Sequence, residues 1–127
     1  MSKKILVVED NPANMKLAVL LLTREGYEVL PATNAADGIA IAQESQPAMI
    51  LMDIQLPDMD GLEATRLLKA DARTQNIVVV ALTAFAMAGD EERIRAAGCN
   101  GYIAKPIDYK VFLADVKRWL LENERIS

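Results

Sequence analysis

Short apolar runs and helical patterns alternate five times along the chain. Ile5-Leu6-Val7-Val8 is a continuous apolar run, the pattern of a strand buried on both faces. It stops at Glu9-Asp10-Asn11-Pro12, where Asn11 suits a helix N-cap and Pro12 the first helical position. The helix that follows is expected to reach about Glu25, with Gly26 as its stop. Met15, Ala18, Val19 and Leu22 share one face of it. Leu17, Leu20 and Leu21 widen that face, which predicts a helix that is well covered or meets a partner.

Residues 27–30 predict a short strand closed by Pro31, which suits a sheet edge. Asn34 is placed to cap a second helix that ends near Ser45, before Pro47. Met49-Ile50-Leu51-Met52-Asp53 predicts a third strand that ends in a carboxylate. The loop Leu56-Pro57-Asp58-Met59-Asp60-Gly61 leads to a third helix carrying Leu62, Thr65 and Leu68. Residues 77–83 form the most β-branched strand, and residues 90–97 a more polar helix stopped by Gly98. Gly101 to Ala104 predicts a fifth strand ending at Lys105-Pro106. Asp108 then caps a last helix with Phe112, Leu113, Val116 and Leu120 inward.

Strands alternating with helices imply parallel strands joined by right-handed crossovers. Five such units fit an α/β fold: a flavodoxin-like, doubly wound, five-stranded parallel sheet of order 2-1-3-4-5 with five helices. No repeat or long linker interrupts the pattern, so residues 1–127 are expected to form a single domain with no output domain.

Composition narrows the chemistry. There is no histidine, which excludes a Ser-His-Asp triad, a His-ligated zinc site and a phosphohistidine on this chain. One cysteine, Cys99, excludes an internal disulfide and a CxxC pair, and reads most simply as a small reduced residue. The net charge of −4 and pI near 4.8 argue against binding a nucleic-acid backbone, and the Lys117-Arg118 pair is too small to reverse that. The N-terminus lacks a signal-peptide core, and no apolar run approaches the roughly 18 residues that span a bilayer. A cytoplasmic protein with no membrane contact is the expectation.

In an open parallel sheet, ligands sit beyond the carboxyl ends of the strands. Those ends offer Glu9 and Asp10 after the first strand, Asp53 after the third, Thr83 after the fourth and Lys105 after the fifth. The four strands are neighbours in the proposed order, so three carboxylates, a hydroxyl and an ammonium should meet at one edge. Each residue alone has a plain explanation as a turn, a cap or a strand-forming side chain. Together they are complementary. Three carboxylates in one pocket repel unless a cation joins them, and with no histidine or cysteine pair the natural cation is Mg²⁺. Lys105 suits one phosphoryl oxygen and Thr83 another. A carboxylate nucleophile in that company can form an acyl phosphate.

The segments Ile5-Leu6-Val7-Val8-Glu9-Asp10-Asn11, Met52-Asp53-Ile54-Gln55-Leu56-Pro57-Asp58-Met59-Asp60-Gly61, Ala81-Leu82-Thr83-Ala84 and Tyr102-Ile103-Ala104-Lys105-Pro106 carry a resemblance. Over essentially its whole length the chain resembles the receiver domain of two-component response regulators. That resemblance implies Asp53 as phosphoacceptor, with Mg²⁺ held by Asp10, Asp53 and the Gln55 backbone carbonyl. Glu9 stands where relatives often carry aspartate, and is expected to reach the metal through water. The resemblance further implies that Lys105 binds the phosphoryl group before a cis Lys105–Pro106 peptide, that Thr83 closes onto the phosphate, and that Tyr102 rotates inward. A histidine kinase or a histidine phosphotransfer protein would be the donor. A downstream protein would be the target of a monomer or weak dimer that is a switch, not an enzyme. Phe85, two residues beyond Thr83, would hinder water and slow hydrolysis of the acyl phosphate. The methionines read as core filler, and Trp119 as core edge or partner contact.

Four other readings stay open on the sequence. A phosphatase working through an aspartyl phosphate would want a second acid where Gln55 stands. A flavin or nucleotide carrier would want a Gly- or Ser/Thr-rich phosphate loop in place of Glu9-Asp10-Asn11-Pro12. A phosphorylation-independent binding module, or a receiver excised from a hybrid kinase, would keep the fold.

Overall fold

The structure is a computed structural model that describes residues 3–84 and 88–126. Ten elements alternate: β1 (Lys4–Val8), α1 (Pro12–Arg24), β2 (Glu28–Ala32), α2 (Ala35–Ser45), β3 (Met49–Asp53), α3 (Gly61–Ala70), β4 (Val78–Thr83), α4 (Ala88–Ala96), β5 (Gly101–Ala104) and α5 (Tyr109–Ile126). The strands form one sheet of order β2-β1-β3-β4-β5, every neighbouring pair parallel. This is the flavodoxin-like arrangement that the alternation predicts.

The side-chain period of two divides the core between the two faces. Leu6, Val8, Ile50, Met52, Val79 and Ala81 point to one face, where they meet Ala35, Leu62, Leu68 and Ile94 of α2, α3 and α4. Ile5, Val7, Met49, Leu51, Val80 and Leu82 point to the other, against Ala18, Leu22, Phe112 and Val116 of α1 and α5. With helices on both faces, β1, β3 and β4 need apolar residues throughout, which explains their unbroken runs. Met49 and Met52 are fully buried and Cys99 is buried, as core filler and a reduced thiol should be. Trp119 packs at the edge of the second cluster, with the Arg118 guanidinium 4.7 Å from its ring.

The caps follow the sequence. The Asn11 side chain accepts from Asn14 N at 3.0 Å, and that of Asn34 from Asp37 N at 2.8 Å. Gly26 and Gly98 stop α1 and α4 at φ values of 93° and 107°. Three details differ from the sequence pattern. β2 starts one residue later than expected and runs through Pro31 to Ala32. Ala32 O accepts from Glu9 N, so by alternation the Pro31 nitrogen faces the open edge, where no donor is needed. β4 starts at Val78, one residue late. α4 starts two residues before Asp90, which puts Asp90 and Glu91 in its first turn, where the helix dipole favours carboxylates. Phe85 lies outside the described residues.

α1 divides its leucines. Leu21 and Leu22 are buried, but Leu17 and Leu20 are 37% and 52% exposed. Among the described residues, no helix is long and apolar enough to cross a membrane.

Candidate functional site

All the strand-end residues singled out in the sequence gather at one edge of the sheet. Asp53 is the last residue of β3 and Thr83 the last of β4, both buried at 4% exposure. Glu9 follows β1 and is buried, whereas Asp10, next in the chain, is exposed. One carboxylate oxygen from each of Glu9, Asp10 and Asp53 lies within 4.8 Å of the other two. Lys105 reaches across from the end of β5. Its Nζ is 2.7 Å from Glu9 Oε1 and 3.2 Å from Asp53 Oδ1. Its backbone N donates to Thr83 O at 2.7 Å, and the Lys105–Pro106 peptide is cis.

The electrostatics are those of crowded carboxylates with a single ammonium between them. Burial, then the hydrogen bond and the charge of Glu9, push Asp53 up to about 7, against the pull of Lys105. Burial also works against ionised Glu9, but its hydrogen bonds with Asp53 and Lys105 outweigh that and hold it below its usual value. Lys105 loses hydration by burial, yet the two carboxylates raise it above the ordinary lysine value. Of the two carboxylates beside Lys105, Glu9 is therefore the one held toward its ionised form and Asp53 the one whose protonated form is favoured. The donor set is all oxygen, carries excess negative charge and includes the exposed Asp10, so it fits a hard divalent cation.

Gln55 sits in the exposed loop after β3, and its backbone N donates to Asp53 Oδ1 at 3.1 Å. A cleft of about 480 Å³ opens here, lined by Asp53, Gln55, Thr83 and Lys105, with Asp90 and Arg93 of α4 on its far side. Tyr102 lies away from the carboxylates. It pairs with Ala81 on β4, while Thr83 pairs with Ala104, so Thr83 and Tyr102 share the sheet face that α4 covers. The Tyr102 ring is partly buried against the first core cluster.

Two contributions to the site went unread in the sequence. A Cβ at Gly61 would collide with Asp53 O, so the first residue of α3 must be glycine for the helix to approach the strand end. Asp58 bonds Ala35 N and Ala36 N at 2.8 and 2.9 Å, joining the site loop to α2. The Asp-Met-Asp-Gly run marks both as loop residues, but their partners are not local. Asp60 does act locally, accepting from Leu62 N at 2.7 Å as the α3 cap.

A parallel sheet with an acidic cluster, a lysine and a hydroxyl at its carboxyl edge is suited to a hard cation and phosphoryl chemistry. The response regulator receiver domain pattern matches residues 5–117, and the chain belongs to that family. It is 48% identical over 120 residues to the polar-differentiation response regulator DivK of Brucella anthropi, covering 94% of this chain and 98% of that protein. Among solved structures, a CheY-like receiver domain protein from Methanospirillum hungatei superposes with a TM-score of 0.91 at 31% identity, covering 100% of both chains. The receiver domain of a sensor histidine kinase from Pseudomonas aeruginosa, with magnesium coordinated in its active site cleft, gives 0.87 at 35% identity over 94% of this chain and 98% of that one.

Proposed function

We propose that this chain is a phosphoacceptor that takes a phosphoryl group onto Asp53 from a phosphohistidine of a histidine kinase or histidine phosphotransfer protein. The observation that carries this reading is the placement of Asp53. It is buried at the end of β3, 3.2 Å from Lys105, and clustered with Glu9 and Asp10. Asp10, Asp53 and the Gln55 carbonyl would hold Mg²⁺. Glu9, engaged by Lys105, would reach it through water. The bound cation would neutralise charge on the transferring phosphoryl oxygens and keep Asp53 ionised.

The protein's own groups do the rest. A carboxylate oxygen of Asp53 forms the new O–P bond as the donor's N–P bond breaks, and the imidazole leaves with the electron pair. Lys105, already at the acceptor, turns its ammonium to a phosphoryl oxygen. The Thr83 hydroxyl closes on another, and Tyr102, on the same sheet face, moves inward into the space released. The α4, β5 and α5 surface changes shape, and the phosphoryl group biases an equilibrium already present. The output is contact with a downstream protein. The chain works as a monomer or weak dimer and assists only its own phosphorylation and dephosphorylation.

Mass spectrometry after incubation with acetyl phosphate and Mg²⁺ tests this. We expect one phosphoryl adduct on the protein, none on Asp53→Asn and none with EDTA. An Asp53→Asn variant that is modified as fully as the parent protein overturns the assignment.

A further inference from the structure

The loop between β3 and α3, residues 54–60, is pinned at both ends. Ile54 N donates to Leu82 O at 3.2 Å, and Gly61 N donates to Ile54 O at 2.8 Å. Between these pins Asp58 reaches to another element. Its Oδ1 accepts from Ala35 N at 2.8 Å and its Oδ2 from Ala36 N at 2.9 Å. These are the first two residues of α2. The third amide, Asp37 N, is bonded by the N-cap Asn34.

Helix N-termini leave their first amides without intrahelical partners, and the dipole there favours negative charge. The two bonds from Ala35 and Ala36 accordingly hold the exposed Asp58 carboxyl below its usual value. A helix start needs only a local cap, and Asn34 already supplies one. Asp58 lies 22 and 23 positions from its partners, so what it fixes is the place of the loop against α2. Three residues before Asp58 in this loop is Gln55, whose carbonyl is a proposed metal ligand.

We propose that Asp58 is a positioning residue for the metal site: its two-oxygen bond to the N-terminus of α2 holds the loop that presents the Gln55 carbonyl. The proposal rests on the metal-dependent reading given above. It extends that reading to a residue that touches neither metal nor phosphate. Residues that orient ligands commonly set affinity as the ligands themselves do. Linkage adds a reciprocal consequence: if the tether favours the cation, the cation must tighten the tether.

Calorimetric titration with Mg²⁺ alone tests this on four proteins: the parent, Asp58→Ala, Asn34→Ala and Asp37→Asn. Asp58→Ala is expected to weaken Mg²⁺ binding about tenfold. Asn34→Ala removes the cap of the same helix end without touching the loop, and Asp37→Asn removes a similar charge there. Both should lower Tm or leave it unchanged while keeping Mg²⁺ affinity within about twofold of the parent. In the parent, Mg²⁺ should slow hydrogen exchange at Ala35 and Ala36 more than at Asp37. Asp58→Ala that binds within twofold of the parent overturns the positioning role and leaves the metal reading standing. A loss in Asn34→Ala or Asp37→Asn equal to that in Asp58→Ala assigns the effect to helix fraying or charge, and also overturns it. A parent protein that binds no Mg²⁺ overturns the metal reading and the proposal together.

Discussion

Lys105 shows what a single residue does in this site. In sequence it reads as a cation for a phosphoryl oxygen. In the fold it is already engaged, 2.7 Å from Glu9, a residue 96 positions away in the chain. Lys105→Met would leave two buried carboxylates without their cation. We expect a loss of about 3 kcal/mol at pH 8, and less at pH 5 where a proton takes the ammonium's place. Urea unfolding at the two pH values measures it. Asp53 sets a second pH dependence. Its value rises from 3.8 when unfolded to about 7 in the folded, metal-free chain. The folded state therefore binds that proton more tightly, and the stability it contributes is full below 3.8 and lost as pH rises through about 7. Urea midpoints in EDTA should fall across that window, and Asp53→Asn should flatten the curve. Saturating Mg²⁺ should restore stability at the upper end. Asp53, Asp10, Thr83 and Lys105 were legible as site candidates because each ends or follows a strand. The Glu9–Lys105 pairing was not, because it depends on where two distant chain ends meet.

At the scale of elements, the approach of α3 to the end of β3 governs the geometry around the acceptor. Gly61→Ala puts a methyl group into Asp53 O, which cannot give way because it belongs to the sheet. A cost of about 2 kcal/mol or more is expected, with a lower Tm and slower phosphorylation by acetyl phosphate. The caps are a milder case. Asn11→Ala removes the bond to Asn14 N and should cost about 1 kcal/mol in thermal or urea unfolding. Helix starts and stops were readable because caps and glycine stops act within a few residues. The edges of β2, β4 and α4 were less so. Pro31 closes a strand only where its nitrogen would face a neighbour, which depends on the strand's place in the sheet.

At the scale of the molecule, the site opens at the same edge from which α1 departs. Leu17 and Leu20 stay exposed on α1 while Leu21 and Leu22 enter the core. An exposed apolar pair on the helix that leaves this edge would suit docking of the donor protein in the proposed phosphotransfer. Leu20→Asp is expected to slow phosphotransfer from a cognate phosphohistidine protein about tenfold, the effect of losing roughly 1.4 kcal/mol of binding. Its Tm and its rate with acetyl phosphate should match the parent's. An equal loss with both donors would show damage to the site itself.

Local chemistry in the sequence determined the alternation of strands and helices, most caps and the residues at the strand ends. Those properties depend on a period of two or 3.6, on an N-cap side chain or on a glycine stop, all within a few positions. The sheet order also followed, because right-handed crossovers leave few ways to arrange five parallel strands. Only the tertiary structure decided which carboxylate is buried against Lys105, which leucines of α1 remain outside, that Gly61 lets α3 approach the end of β3, and that Asp58 ties its loop to α2. Each of these is a contact between residues far apart in the chain, set by distances of a few ångström that no local pattern encodes.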